Sequence, residues 1–374
     1  MTTSTPTKQE PRAFAGAARA ASYIEANDAP AVTETTPSAP PAVTAIEPEP
    51  ILETDPVMEF KQEEDIDLGA LSVAAPPRTA QRGLRGLLGK VGVKVAPGAA
   101  ETAELQTAQE LARFEETVRQ ATWIRAVSVL VANPKGGVGK TPTSLMLGGT
   151  LAAIRGGSVA IIEVSDDPGA LTFRSEGSPN RGLGELVADA ETISSAGQLA
   201  GYTAPQSSFA AVIGSVGWRP RLDDTAVRNV AKVVDDYFGI RVMDSGNQPS
   251  SPAFGAAVMT ADVLVVPIFD AGDAALEAAQ LLEGLKAAGG HAAELAANAI
   301  VLRLHDGRPE HPQVVARVDR ILTSHGISHQ HTIPFDAHIA ERGQLTLAKL
   351  HPAARHALTG AAADVVRTLQ NTAR

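Results

Sequence analysis

The stretch Val127–Met146, VSVLVANPKGGVGKTPTSLM, limits the fold more than any other part of the chain. An apolar, β-branched run leads into a glycine-rich loop and then into helix-compatible residues. That order predicts a strand, a tight loop and a helix. Backbone N–H groups of such a loop converge on a phosphate, and the positive end of the next helix favours the same anion. Gly136, Gly137 and Gly139 let the backbone approach oxygens that a Cβ would hold off, with Val138 between them. Lys140 is spaced to reach β- and γ-phosphates, and Thr141 is spaced to offer its hydroxyl to Mg²⁺.

The loop departs from the general pattern G-x-x-x-x-G-K-[ST] at its first position, which holds Pro134. A second lysine, Lys135, follows at once. The run Pro134-Lys135-Gly136-Gly137-Val138-Gly139-Lys140-Thr141 resembles the deviant Walker A motif of the ParA/MinD ATPases. The resemblance implies a SIMIBI-type P-loop NTPase that binds ATP and Mg²⁺. It makes Lys140 the lysine acting in its own chain and Lys135 the lysine reaching across a homodimer to the partner's nucleotide. Pro142 replaces the usual second threonine. Proline is tolerated in a first helical turn, but it removes one N–H or hydroxyl that could contact an α-phosphate.

From Ile124 onward, strand-like and helix-like segments alternate. Strands are expected at Val127–Ala132, Val159–Val164, Phe209–Ser215, Ile240–Asp244, Val263–Ile268 and Ala299–Leu304. Helices are expected at Thr141–Ile154, Asp223–Phe238, Pro252–Thr260, Asp273–Ala288 and Pro312–His325. This alternation predicts an α/β fold, a doubly wound and mostly parallel sheet flanked by helices, with ligands at the carboxyl ends of strands.

Three further motifs stand at such ends. Ile161 to Gly169 (IIEVSDDPG) occupies the place of switch I in the ParA/MinD pattern. Glu163 matches its first acidic position, but Ser165 falls on the second, where the family's carboxylate helps to position the attacking water. Asp166 and Asp167 are the substitutes at hand, and turnover is expected to be slow or partner-dependent. Asp244, closing Ile240–Asp244, is the Walker B candidate that holds Mg²⁺ opposite Thr141, with Gly246 and Asn247 as switch II. Ile333-Pro334-Phe335-Asp336 resembles the family's late IP-x-D element, which places Pro334, Phe335 and Asp336 beside the nucleotide base. The family's asparagine before it is replaced in VLRL, where Arg303 stands nearest.

Composition separates the rest of the 374 residues. Met1 to about Ala80 is rich in Pro, Thr, Ala and Glu and reads as a disordered acidic tail. Within it, Ala13–Ile24 has a weak amphipathic helix pattern, and Glu53–Asp67 sets Val57, Met58 and Phe60 among acids. Either could dock a partner; a solvated tail is the plainer reading. Pro77–Lys94 is basic, so residues 81–123 read as a basic linker followed by a helix over Glu101–Trp123 that docks on an ATPase domain at 124–374. Cysteine is absent, no apolar run is long enough to span a bilayer, and the amino terminus has no signal-peptide core, which points to the cytoplasm, with nucleoid or membrane association left open. Eight of the nine histidines lie between His305 and His356 without a tight metal-ligand spacing.

The resemblance extends from Ile124 to the carboxyl terminus. The order of segments is similar to MinD-like ATPases of type VII secretion loci and of conjugative or partitioning plasmids. It implies an ATP-dependent dimerisation switch that positions or segregates a cargo, plasmid DNA or a protein complex, with an adaptor or secretion-system protein reached through the tail. A non-hydrolysing nucleotide-binding scaffold is the alternative, and Ser165 favours it. A net charge of −10 leaves non-specific DNA binding to a local patch, for which Arg317, Arg320, Arg342, Lys349, Arg355 and Arg367 are the candidates.

Overall fold

Val127–Val131 (β1) is buried at every position, as a strand covered on both faces must be. The same holds for β2 (Val159–Val164). In the computed structural model, which describes residues 98–373, both lie in one eight-stranded sheet. The other strands are β3 (Ala204–Pro205), β4 (Ala211–Ile213), β5 (Ile240–Ser245), β6 (Val263–Phe269), β7 (Ile300–Leu304) and β8 (His329–Ile333). Their order is β3-β4-β2-β5-β1-β6-β7-β8, parallel throughout except that β3 runs antiparallel to β4. The expected tail, its two docking segments and the basic stretch Pro77–Lys94 lie outside the described residues.

The helices are α1 (Ala99–Gln120), α2 (Lys140–Arg155), α3 (Leu171–Arg174), α4 (Leu183–Asp189), α5 (Ala196–Ala200), α6 (Asp224–Asp235), α7 (Pro252–Met259), α8 (Gly272–Ala288), α9 (Gly290–Ala297), α10 (Pro312–Ser324), α11 (Ala337–Ala340) and α12 (Pro352–Thr372). Strand alternation sends Val127, Val129 and Val131 to one face, against α1, α2 and α12, and Leu130 and Ala132 to the other, against α6 to α10. Sheet and helices thus form three layers with two cores, the doubly wound arrangement.

Two strands escape the sequence pattern. β8 reads HQHTI, with polar residues where a buried strand would be apolar, because it is an edge strand. His329 and His331 share one face of it and both reach Asp364 of α12, at 3.1 and 3.0 Å. Burial would raise that carboxyl, but the hydrogen bonds from His331 and His329 outweigh it and hold it at about 2. β3 is two residues long and pairs only with β4, itself shorter than the expected Phe209–Ser215. α1 docks through fewer residues than its pattern suggests. Val118 is buried, Leu105 and Leu111 are half-buried, and Ala108 and Ala112 stay exposed. Arg155 of α2 fixes its end by donating to the Val118 and Ala121 carbonyls at 2.7 and 2.9 Å while lying over Trp123. Among the described residues no helix is long and apolar enough to cross a membrane.

Candidate functional site

A cavity of about 990 Å³ opens at the carboxyl ends of β1, β2, β5 and β7. Small-molecule sites run to roughly 1,000 Å³, so a whole nucleoside triphosphate has room here. The cavity lies where successive strands leave β1 in opposite directions, β2 and β4 to one side and β6, β7 and β8 to the other.

The glycine-rich loop forms its floor. Asn133, which the sequence pattern did not single out, pins the turn after β1. Its Nδ2 donates to the Pro267 carbonyl and its Oδ1 accepts from the Lys135 N–H, both at 2.9 Å. Gly137 and Gly139 have φ of 79° and 91°, a region closed to most side chains. A Cβ on Gly137 would meet nothing within 4 Å, so the loop's open side is a cradle. Val138 is buried in the core, where it anchors the loop, and is not part of the cavity wall. Gly136 is not in the cavity wall, whereas Pro142, in the first turn of α2, is.

The two lysines of the loop part company. Lys140 is 8% exposed, and its Nζ donates to the Asn133 and Lys135 carbonyls at 2.8 and 3.1 Å and to Asn247 Oδ1. Burial lowers its pKa to about 8. Lys135 points out of its own cavity and pairs with Asp273 of α8 at 2.9 Å, which raises its pKa.

Thr141 Oγ1 donates to Asp244 Oδ2 at 2.7 Å, and Ser144 Oγ donates to Asp244 Oδ1 at 3.2 Å. Burial pushes the Asp244 carboxyl up to about 7. These groups fit the ligands that the motif implies. Lys140 is a buried cation whose hydrogen-bond acceptors are all neutral, so an anion completes it. Asp244 is a buried carboxylate whose hydrogen-bond partners are hydroxyls, so a hard cation completes it.

Switch I is held from a distance. Glu163 lies beside Asp244 in the β2–β5 register. Its Oε1 accepts from the Gly169 N–H at 3.0 Å, from Ser215 Oγ and from Arg219 at 2.8 Å. Glu163 and Arg219 are a buried ion pair, with side chains 1% and 3% exposed, and removing one partner of such a pair costs about 3–5 kcal/mol. Asp166 and Asp167 diverge. Asp166 is buried in the cavity wall, and a Cβ on Gly246 would come within 3.1 Å of its Oδ1. Asp167 is exposed and pairs with Arg221 at 2.9 Å. Ser165 Oγ turns back onto the Asp167 carbonyl at 2.6 Å.

The base-side residues are divided. Pro334 and Asp336 line the cavity, while Phe335 does not and packs over the turn at Gly307. The Asp336 carboxylate accepts from the His338 N–H at 2.9 Å and the His351 N–H at 2.7 Å, so it also holds the loop. Arg303 faces away from the cavity, between Asp270 and Asp319. The six basic residues proposed for DNA do not form one surface, because α10 carries Arg317 and Arg320 on one layer while α12 carries Arg355 and Arg367 on the other.

The family model described as the CobQ/CobB/MinD/ParA nucleotide binding domain matches residues 129–346. No curated protein matches the chain. Among solved structures, the ParA family ATPase from Chlorobium tepidum TLS is 14% identical, with 63% of this chain and 98% of that one covered and a TM-score of 0.52. The cell division ATPase MinD of Pyrococcus furiosus is 18% identical, covering 65% and 99%, with a TM-score of 0.48. Cobyrinic acid a,c-diamide synthase from Mycobacterium smegmatis, solved with an ATP analogue and magnesium, is 17% identical, covering 67% and 97%, with a TM-score of 0.46. At 14% identity the likeness to the Chlorobium tepidum protein speaks to the fold alone.

Proposed function

The chain belongs to the CobQ/CobB/MinD/ParA nucleotide-binding family, and from that premise we propose that it binds ATP with Mg²⁺ and works as a dimerisation switch. The single observation that carries the reading is the divergence of the two lysines of one loop. Lys140 is enclosed at the phosphate cradle, and Lys135 stands outside it on the surface. A lysine that cannot serve its own cavity is placed to serve that of a second copy.

Each residue then has a task. Lys140 exchanges its neutral oxygen partners for the β- and γ-phosphates, which restores the charge pairing that burial denies it. Thr141 and Asp244 would hold Mg²⁺, which would neutralise charge on the phosphate oxygens. Loop N–H groups around Gly137 and Gly139 orient the triphosphate. Asp166, beside Gly246, accepts a hydrogen bond from the attacking water and aligns it. Lys135 leaves Asp273 to meet the partner's nucleotide, an exchange of one exposed contact for another that costs little. The paired form would hold a cargo, plasmid DNA or a protein complex, and hydrolysis would release it. Because the six-residue basic patch is split between layers, DNA would have to be held by surfaces that the pair brings together.

Light scattering with ATP and Mg²⁺ against ADP and Mg²⁺ tests the switch. A dimer in the first and a monomer in the second is expected; equal masses would remove the switch. Lys135→Ala should bind ATP normally and remain a monomer, and normal dimerisation of that variant would end the role given to Lys135.

Ser165 supports a second reading, a scaffold that binds ATP without turnover, since its hydroxyl is bonded within its own loop. Steady-state phosphate release separates the two.

A further inference from the structure

We infer that Arg219 is a positioning residue for switch I: its guanidinium curls the loop so that Asp166 supplies the carboxylate that position 165 lacks. The inference rests on reading the cavity as an ATPase site.

Arg219 lies between β4 and α6, far from every sequence motif. Every nitrogen of its guanidinium is engaged. Nη1 donates to the Asp166 carbonyl at 2.8 Å and to the Pro220 carbonyl at 3.1 Å. Nη2 donates to Glu163 Oε1 and the Ser165 carbonyl, each at 2.8 Å, and to the Asp167 carbonyl at 3.2 Å. Nε donates to Ser215 Oγ at 2.8 Å. The carbonyls of three consecutive residues, 165 to 167, therefore converge on one buried cation. A loop wrapped around a point in this way sorts its side chains. All three border the cavity, but Ser165 Oγ folds onto the loop's own backbone, Asp167 stays exposed in its pair with Arg221, and Asp166 is buried in the wall.

The charge has a second effect. Glu163 lies beside Asp244 in the sheet register, and both line the cavity with Asp166. Arg219 offsets one of those charges. It also occupies only Oε1 of Glu163. Oε2 is buried without a hydrogen-bond partner among the described residues, on a residue that lines the cavity. The clamp thus holds the Glu163 carboxylate against Gly169, while Asp166 lines the cavity. Lysine could not replace Arg219, because one ammonium cannot span this planar set of acceptors.

The test combines phosphate release, ATP affinity and backbone amide exchange. Asp166→Asn should lower kcat about 100-fold, the scale of a lost general base. Arg219→Lys should lower kcat by at least about tenfold, as misplacement of a reacting group does, with ATP affinity held within about threefold, because the phosphate cradle is separate. In the nucleotide-free protein its amides at 166–169 should exchange faster while those of α2 do not change. The double variant should turn over no more slowly than Asp166→Asn alone, since Arg219 acts through Asp166. Gly246→Ala leaves Arg219 in place but crowds Asp166 Oδ1 at 3.1 Å and the Ser165 Cβ and Cα at 3.2 and 3.4 Å, and should also lower kcat. It keeps the idea testable if Arg219→Lys does not fold. Full turnover by Asp166→Asn would overturn the role of Asp166 and this inference with it. Loss in Asp166→Asn but normal turnover and exchange in Arg219→Lys would overturn the clamp alone. Normal turnover in Gly246→Ala would overturn the placement of Asp166.

Discussion

The two ends of the cavity are built on different principles. The phosphate end draws almost everything from one contiguous stretch, Asn133 to Ser144, with Asp244 added from the strand alongside. Chain connectivity and glycine conformation shape it, so its geometry is nearly dictated once the strand and helix form. The switch end is assembled from three separate segments: residues 163–169 from the end of β2 onward, Ser215 and Arg219 after β4, and Gly246 after β5. A buried side chain shapes it. An end formed by local sequence tolerates change elsewhere; an end formed by a distant guanidinium can be altered without touching its own residues.

The largest effect expected is at the phosphate end. Lys140→Ala should weaken ATP binding by about 100-fold or more, since it removes charge-assisted bonds worth roughly 3 kcal/mol. Titration with a fluorescent ATP analogue reads this. Retained affinity would mean that the cradle's backbone suffices and that the contrast between the two ends is mistaken.

Proton linkage sharpens the contrast next. Asp244 is raised from 3.8 to about 7 by burial. Its contribution to the stability of the ligand-free protein is therefore full below about pH 4 and is lost as pH rises through about 7. The cation needs the ionised carboxylate, so Mg²⁺ affinity should rise about tenfold per pH unit below 7 and level off above it. Lys140 is lowered from 10.5 to about 8, so ATP affinity should decline once pH passes about 8. Calorimetric titration across this range checks both. Asp244→Asn should abolish the first dependence and move the second to lower pH, because the Asp244 charge helps to keep Lys140 protonated.

The same division explains what the sequence made legible. Central strands are mostly apolar, so β1, β2, β5, β6 and β7 could be read from composition, and with them the fold class. β8 could not, because an edge strand keeps polar residues and its two histidines serve Asp364. At the site, fixed spacing brings Lys140 and Thr141 to the end of β5 without further information. Arg219 carries no local signal. Its role exists only because β4 lies beside β2, a pairing of residues some fifty positions apart. On the base side the motif carried no sign of what the Asp336 carboxylate does in the fold, where it caps α11 and ties down His351.

The smallest effect distinguishes the two neighbouring acids. Asp167 is 58% exposed, and its partner Arg221 is 70% exposed. Such pairs contribute about 0–1 kcal/mol, because water competes for both charges. Asp167→Ala and Arg221→Ala should each leave phosphate release within about twofold of the parent and shift the melting temperature only slightly. The comparison is demanding because Asp166 and Asp167 are adjacent, alike in chemistry and equally eligible by sequence. Only the direction imposed by the loop separates them. A large loss in Asp167→Ala would mean that switch I turns over during the reaction cycle and exchanges the two carboxylates, so that the clamped loop would be a resting arrangement.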